Sequence, residues 1–250
     1  MGSRSLQDRL AHYLLKGMNK ALREHHMLVD GDRVIVAVSG GKDSLSLLRL
    51  LLLGQGSSPV SFRIVAVHVA WADSTCSTKL PSWGVLGEHL KAEGCSHSLE
   101  IIDGPRPPDC ARCSYLRRKA LFTSAQRLGC NKVALAHHAD DAAQTTLLNL
   151  VFHGRVETLL PVRQFFGGQL ALIRPLIYVR EKEILRFAQA ASLPIVSESC
   201  ERSKDSRRVF AKELLRRLER ENPKVKINLL RAGLRAAQEP VAGSCISPSA

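Results

Sequence analysis

The chain has 250 residues, 45% of them hydrophobic but only 5% aromatic, and a formal net charge of +13. This length accommodates one α/β domain with an appendage, or two small domains, around an aliphatic core. No apolar run approaches the roughly 20 residues of a membrane span, and the first residues lack the apolar region of a signal peptide. We therefore expect a soluble, cytoplasmic protein with no membrane association, whose excess of positive charge attracts a polyanion, nucleic acid first.

The first predicted elements lead to a glycine turn. Residues 5–27 carry the apolar stripe of an amphipathic helix, and a turn at 29–32 precedes an apolar, mostly β-branched strand at 34–38. A leucine-rich helix follows the turn. The turn itself has the sequence SGGKDS and consists of Ser39, Gly40, Gly41, Lys42, Asp43 and Ser44.

This turn has the chemistry of a phosphate site. Its glycines let the backbone approach a bulky anion, the helix start presents N–H groups to that anion, and the serines and the lysine add donors and charge. The negatively charged Asp43 is compatible with such an anion site if Mg²⁺ lies between its carboxylate and a polyphosphate. The mononucleotide pattern GxxxxGK[ST] is absent, and SGGKDS instead resembles the pyrophosphate-binding loop of the PP-loop ATPases. The alternative is a glycine turn that merely caps a helix.

Further along the chain, predicted strands alternate with predicted helices. The strands are expected at 62–69, 97–102 and 132–136, and the helices at about 82–93, 110–128 and 140–152. Such alternation predicts a parallel sheet covered on both faces, with ligands at the carboxyl ends of the strands. His68 lies near the end of the second strand and is therefore a candidate nucleotide contact.

The sequence HHADD directly follows the fourth predicted strand. His137, Asp140 and Asp141 at the carboxyl end of a strand fit a nucleotide or Mg²⁺ site. The alternative for Asp140 is that it caps the next helix.

The cysteine pattern offers a second kind of site. Cys110 and Cys113 form a CxxC pair at a helix start, where both thiols face the same side and can chelate one metal centre, form a redox pair or merely pack. Cys200 is the candidate third ligand because it lies in the polar segment 197–203, beyond a predicted strand at 194–196. The chain has neither a second CxxC for a four-thiolate zinc site nor a CxxCxxC run of ferredoxin type. The remaining cysteines (Cys76, Cys95, Cys130 and Cys245) are not expected to be ligands. Cys95 and Cys130 each follow a glycine near the start of a predicted strand, and we expect them to be packing residues.

Basic residues cluster in two regions. No acidic residue occurs between positions 110 and 139, and residues 201–235 contain twelve Lys/Arg against five Asp/Glu. Two such regions beside the candidate cysteines favour nucleic-acid binding over two solvated helix faces. The candidate RNA contacts are Arg112, Arg117, Arg118, Arg207, Arg208, Arg216 and Arg217.

The combination of motifs resembles the tRNA 2-thiocytidine synthetase (TtcA) family over roughly residues 10–235. SGGKDS, CARCSYLRRKALF, LAHHADDAAQTTLLNLVFHG, IRPLIYVREKEI and LPIVSESC occur in that family's order and spacing. The resemblance implies an α/β PP-loop ATPase fold (adenine nucleotide α-hydrolase-like, Rossmann-like) with helical additions. It implies an ATP- and Mg²⁺-dependent tRNA cytosine(32) 2-sulfurtransferase that adenylates the C2 carbonyl of an anticodon-loop cytidine and replaces the oxygen with sulfur.

The same resemblance implies the remaining site residues and partners. Cys110, Cys113 and Cys200 would hold a [4Fe–4S] cluster with one iron lacking a protein ligand, and these cysteines with Asp43 would be catalytic. The partners would be tRNA and a sulfur donor system, of which a cysteine desulfurase is one kind. Relatives dimerise, and the N-terminal helix offers a face for a homodimer.

The sequence departs from the family in places, and alternatives stay open. Ala70 stands where PP-loop proteins often carry an aspartate, and Ser197 where relatives can have another cysteine. The alternatives are a PP-loop sulfurtransferase or desulfidase acting on another base, a lysidine-synthetase-like ligase, and a zinc-stabilised RNA-binding protein without enzymatic activity. The expected organisation is an N-terminal helix (1–28), a PP-loop domain with the CxxC (29–199), a basic helical region (200–237) and a flexible tail (238–250).

Overall fold

The structure is a computed structural model that describes residues 5–72, 81–107, 109–196 and 207–238. Its strands are β1 (Asp32–Ala37), β2 (Phe62–Trp71), β3 (Ser96–Ile102), β4 (Lys132–Ala134), β5 (Val162–Phe165) and β6 (Leu170–Ile173). Its helices are α1 (Leu6–Glu24), α2 (Lys42–Gln55), α3 (Pro81–Ala92), α4 (Cys110–Arg127), α5 (Ala139–His153), α6 (Glu181–Ala190), α7 (Arg207–Glu221) and α8 (Val225–Ala236).

The chain divides into two compact units. The first, here called the sheet unit, comprises Met1–His138 and Pro161–Lys204, and the second, the helical unit, comprises Ala139–Leu160 and Asp205–Ala250. The sequence-based organisation differs, because it places α5 in the PP-loop domain, whereas α5 packs with α7 and α8 in the helical unit. Among the described helices, none is both long enough and apolar enough to cross a membrane.

The sheet unit is built on one six-stranded sheet in the order β3-β2-β1-β4-β6-β5. All neighbouring pairs are parallel except the edge pair β5–β6. The chain proceeds from β1 towards β3 on one side and resumes with β4 on the other side of β1. The order therefore reverses between β1 and β4, and in open α/β sheets ligands bind at such a point, beyond the carboxyl ends of the strands.

Apolar layers cover both faces of this sheet. On one face Ile35 and Val133 pack with Leu121 and Ala125 of α4. Helix α2 contributes a row of fully buried leucines and contacts β1, β2, α1 and α6. The predicted parallel sheet with helices on both faces is thus confirmed, and the aliphatic core holds both strands next to the switch point in place.

Two details of the sheet differ from the sequence prediction. The predicted strand at 194–196 is wrong: these residues join no ladder, and the Val196 N–H instead donates to the Gly40 carbonyl at 3.0 Å. β5 was not predicted, because its apolar and polar residues do not form the continuous apolar run of a buried strand. As an antiparallel edge strand it pairs with a neighbour on one side only.

The helical unit has a small core of its own. Ala143 and Leu147 of α5 pack against Ala211 and Leu215 of α7. Helix α8 lies close to α5 at Gly233, where an added Cβ would come within 2.8 Å of Thr146 Oγ1 on α5. Helices α7 and α8 lie in the basic helical region expected at 200–237.

Candidate functional site

The turn after β1 needs its first glycine. Gly40 has φ +80°, a conformation that favours glycine, and a Cβ there would lie 3.0 Å from the Val196 side chain. The two serines tie the turn together: the Ser39 N–H donates to Ser44 Oγ at 3.1 Å, and Ser44 Oγ donates to the Gly41 carbonyl at 2.9 Å. The turn is therefore held from within and from the segment ending at Val196.

The start of α2 is arranged for an anion. Gly41 is the N-cap residue, and no side chain of the described residues caps this helix start. An uncapped helix N-terminus presents N–H groups and the positive end of the helix dipole. Since this helix start lies directly beyond β1, at the switch point of the sheet, it is a site for a phosphate group.

Lys42 is held by two carboxylates. Its Nζ lies 2.9 Å from Asp43 Oδ2 and 3.3 Å from Glu181 Oε1, and all three side chains are partly exposed. Burial opposes the charged form of Lys42, but the bonds and charges of Asp43 and Glu181 outweigh it and raise the pKa of Lys42 above its ordinary value. The ammonium group is therefore charged at neutral pH, beside the phosphate-binding helix start.

Two histidines follow β4 on the other side of the switch point. The buried His138 has its Nε2 3.8 Å from Asp43 Oδ1. Arg174 Nε donates to His137 Nδ1 at 3.2 Å, so that this ring nitrogen accepts. The carboxyl ends of β1 and β4 thus bring Asp43 and His138 into contact, as parallel topology requires.

His68 lies near the carboxyl end of β2. Its Nδ1 is 2.7 Å from the Val38 carbonyl oxygen, and because a carbonyl can only accept, Nδ1 donates. Its ring stacks on Trp83 of α3, with centroids 5.8 Å apart and an interplanar angle of 20°. His68 therefore supports the end of β1 from which the phosphate turn begins, and its role as a nucleotide contact stays a prediction.

The CxxC pair begins α4, as predicted. Cys110 is exposed and Cys113 is buried, and both are free thiols. Asp109 caps the helix by accepting from the Ala111 and Arg112 N–H groups at 3.1 and 2.9 Å, and these bonds lower the pKa of Asp109. Helix α4 connects the carboxyl end of β3 to the amino end of β4. Its first turn therefore lies at the edge of the sheet formed by the carboxyl ends of the parallel strands, as the phosphate turn does.

The third candidate ligand, Cys200, lies outside the described residues. Within the described ranges, no three His, Cys, Asp or Glu side chains come together as a metal site. Cys76 and Cys245 also lie outside those ranges. Cys95 and Cys130 are buried, and burial raises the pKa of each thiol, which fits the packing role predicted for them.

Asp140 and Asp141 belong to the helical unit. Asp140 does not cap α5, which begins one residue earlier, but forms an ion pair with Lys226 Nζ at 2.9 Å. Lys226 also contacts Glu219 at 2.8 Å, and although burial opposes its charge, the two carboxylates raise its pKa. This cluster joins α5, α7 and α8, and the predicted nucleotide or Mg²⁺ contacts of the two aspartates stay predictions.

The candidate RNA-binding arginines lie on α4 and α7. On α7 they are exposed, and Arg216 and Arg217 both contact Glu213, at 3.8 and 3.3 Å. On α4, Arg112 is exposed, whereas Arg117 and Arg118 are partly buried. Their role in RNA binding stays a prediction.

Sequence reasoning missed several residues that contact the phosphate turn or the neighbouring candidate residues. Glu181, His138, Arg174 and Val196 lie in or near quoted motifs but were not singled out, and Asp109 precedes the CxxC pair. A signal existed only for Asp109, as an N-cap type residue before a helix, and for His138, as the neighbour of a chosen histidine. Glu181 and Val196 reach the turn, and Arg174 reaches His137, through contacts between residues distant in sequence.

Comparisons with known proteins show which family the chain is similar to. A family model described as a PP-loop domain matches residues 107–218, a range that begins after the phosphate turn. The chain is similar to proteins named tRNA-cytidine(32) 2-sulfurtransferase. The one from Geobacter metallireducens is 41% identical over 229 residues, covering 86% of each chain. The one from Geotalea uraniireducens is 36% identical over 240 residues, covering 91% of this chain and 92% of the relative.

Among solved structures, the chain is similar to the U34-tRNA thiolase NcsA from Methanococcus maripaludis with its [4Fe-4S] cluster. The TM-score is 0.75 at 21% identity, and the match covers 94% of this chain and 80% of the other. This likeness shows a common fold, as the PP-loop resemblance implied.

Proposed function

We propose that this chain, which belongs to the tRNA-cytidine(32) 2-sulfurtransferase family, uses ATP to replace the C2 oxygen of an anticodon-loop cytidine in tRNA with sulfur. The observation that carries the proposal is the phosphate turn at the switch point, with Lys42, Asp43 and His138 in contact beside an uncapped helix start. Adenylation of a carbonyl oxygen needs such a polyphosphate site. The proposed activity also implies a cytoplasmic location.

ATP fits the residues of the turn. Its phosphates would accept from the N–H groups that start α2 and from Ser39 and Ser44, while the backbone at Gly40 allows close approach. Lys42 already carries its charge at this place, and we propose that it exchanges its carboxylate partners for the phosphates. The Asp43 carboxylate, released from Lys42, would then face Mg²⁺, for which carboxylate oxygens are suitable ligands.

The reaction we propose has two bond exchanges. First, the cytidine C2 oxygen attacks the α-phosphorus of ATP, forming the C2–O–P linkage as pyrophosphate leaves. A sulfur nucleophile then attacks C2, and the C2–O bond breaks so that AMP departs with the former carbonyl oxygen. Lys42 and the α2 N–H groups stabilise the negative charge that develops on the phosphates in the first exchange.

Cys110 and Cys113 fit the family's cluster as two of its ligands. They are free thiols one helical turn apart, and Asp109 fixes the helix start that carries them. Cys200 would be the third ligand. Val196, four residues before Cys200, is hydrogen-bonded to Gly40, and four residues of chain span at most roughly 14 Å. When bound, a three-cysteine [4Fe–4S] cluster supplies an iron without a protein ligand, where sulfur can be held.

The remaining partners are proposed from the same activity. The basic residues of α4 and α7 would bind tRNA, and a donor system such as a cysteine desulfurase would deliver the sulfur. A homodimer could use α1, on which Leu6 and Tyr13 are exposed apolar residues.

The test is thiolation of tRNA under anaerobic conditions, followed by mass analysis of its nucleosides. Wild-type protein is expected to form 2-thiocytidine at position 32 only with ATP and a sulfide source, and to carry about four iron atoms per chain. The Cys200→Ala variant should lose both iron and thiolation, whereas Cys95→Ala, at a buried packing cysteine, should keep both. A colourless wild-type protein with one zinc per chain, or thiolation retained by Cys200→Ala, would contradict the proposal.

A further inference from the structure

Two phenylalanines of the helical unit lie on its surface. Phe152, near the end of α5, is 41% exposed, and Phe210, in the first turn of α7, is 53% exposed. Their ring centroids are 6.1 Å apart at an interplanar angle of 72°. The Arg207 guanidinium lies over the Phe152 ring, 4.7 Å from its centroid. We call these three residues the Phe152–Phe210 surface.

The core of the helical unit does not account for these rings. That core consists of smaller residues, among them Leu147 and Leu215, and the two rings lie outside it. Val151 and Val209, each next to one of the phenylalanines, are also about half exposed. Two exposed rings that contact each other form an apolar surface feature that the packing of the unit does not explain, and such features favour a binding role.

The charge around this patch favours a polyanion as the occupant. Helix α7 has six basic residues against three acidic ones, and its first turn, which includes Arg207 and Arg208, has no acidic residue. Two cations at the positive end of a helix dipole are unfavourable for the isolated helix. A phosphate-bearing partner removes that repulsion, whereas a second copy of the same patch, related by a two-fold axis, would place these arginines opposite one another.

Exposed rings beside guanidinium groups are also suited to unpaired nucleobases. Bases stack on aromatic side chains and on arginine planes, while basic residues follow the backbone phosphates. A base-paired stem does not offer its base faces in this way. The combination therefore selects loop nucleotides over duplex RNA.

We infer that Phe152 and Phe210 stack on an unpaired base of the RNA substrate while Arg207 and Arg208 contact its adjacent phosphates. The inference rests on the proposed function in one respect, namely that RNA is the substrate. Beyond the proposed function, the inference assigns base-stacking contacts to the helical unit and predicts that these contacts favour loop nucleotides over base-paired ones.

The test compares two RNAs and one matched control residue. Affinities are measured for an anticodon stem-loop and for a duplex with the same number of phosphates but no unpaired nucleotides. The Phe152→Ala/Phe210→Ala variant should bind the stem-loop about tenfold more weakly and the duplex with unchanged affinity. Phe166→Ala removes a 64% exposed ring from the sheet unit and should change neither affinity.

Two conservative variants separate stacking from folding. Phe210→Leu keeps an apolar side chain but removes the ring, and it should lose stem-loop affinity with an unchanged melting curve. Phe210→Trp should keep the affinity, and its fluorescence should be quenched by the stem-loop. Unchanged stem-loop binding in the alanine variant, or equal loss with both RNAs, would overturn the inference, as would a switch from dimer to monomer with RNA affinity preserved.

These outcomes are independent of the thiolation assay. If wild-type protein binds the stem-loop through the two rings but forms no 2-thiocytidine, the proposed function fails and the inference survives. If wild-type protein thiolates tRNA and the alanine variant binds it equally well, the inference alone fails.

Discussion

The two units each contain a lysine held by two carboxylates, and the two clusters differ in what surrounds them. Lys42 contacts Asp43 and Glu181 at 2.9 and 3.3 Å, and Lys226 contacts Asp140 and Glu219 at 2.9 and 2.8 Å. Both lysine side chains are 23% exposed, and the carboxylates raise the pKa of both.

The partners distinguish the two lysines. Asp140 is buried, with its side chain 8% exposed, and the Lys226 cluster links three helices, whereas the Asp43 side chain is 30% exposed beside an uncapped helix start. An ion pair around a buried carboxylate stabilises a fold because its loss leaves that charge uncompensated. A partly exposed pair next to a phosphate site can exchange partners at lower free-energy cost. The same arrangement of one lysine and two carboxylates thus holds helices together in the helical unit. In the sheet unit, we propose, it takes part in the reaction.

The largest expected effect is on catalysis by Lys42. Lys42→Met should lower ATP-dependent thiolation by about 100-fold or more, because it removes a positive group that stabilises charge on the phosphates, and should change the free energy of unfolding little. Thiolation rates and thermal melting of the purified variant measure the two effects.

Lys226→Met is the matched control for that change. Assayed well below its melting temperature, it should keep most of the thiolation activity of wild-type protein. Equal losses of activity in the two variants would mean that the two clusters do not differ as we describe.

The next effect is on stability. Lys226→Met should lower the free energy of unfolding by about 2 kcal/mol, less than for a fully buried pair because Lys226 remains partly exposed. Chemical denaturation followed by circular dichroism measures this difference. A variant as stable as wild-type protein would show that the Lys226 cluster does not hold the helical unit together.

A smaller effect is expected on RNA binding by α7. Arg216→Glu should weaken tRNA binding several-fold and reduce the salt dependence of the affinity, because it removes a phosphate contact. Arg186→Glu on α6 is its control, since both arginine side chains are exposed and each forms an i,i+3 pair with a glutamate at 3.8 Å. The same dependence of tRNA affinity on salt concentration in both variants would mean that Arg216 makes no phosphate contact and is merely exposed to solvent.

The smallest effect is the pH dependence of the Lys226 cluster. Its folded-state pKa is raised above the ordinary 10.5, so its contribution to stability is fully present below pH 10.5 and is lost as the pH rises through the folded-state value. The stability difference between wild-type protein and Lys226→Met should therefore stay constant from pH 7 to about pH 10 and shrink above that. A difference that already disappears below pH 9 would contradict the ion-pair assignment.

The contrast between the clusters also shows what sequence can predict. The phosphate turn was predictable because strand, glycines and helix start are consecutive, and the same holds for the CxxC pair at the start of α4. The contacts of Glu181 and Val196 with the turn were not predictable, because these residues are distant from the turn in sequence and no local pattern indicates such contacts. For Asp140, proximity to His137 in sequence suggested a shared site, which stays a prediction, and no local pattern predicted its ion pair with Lys226 on α8.

The most direct test of the account follows the oxygen that leaves C2. tRNA carrying a heavy oxygen isotope at C2 of cytidine 32 is converted with ATP and sulfide, and the released AMP and pyrophosphate are analysed by mass spectrometry. Adenylation of the carbonyl predicts that the heavy oxygen appears in AMP, with one AMP formed for each 2-thiocytidine. Heavy oxygen in pyrophosphate or water, or thiolation without AMP formation, would contradict the assignment of the phosphate turn to substrate activation.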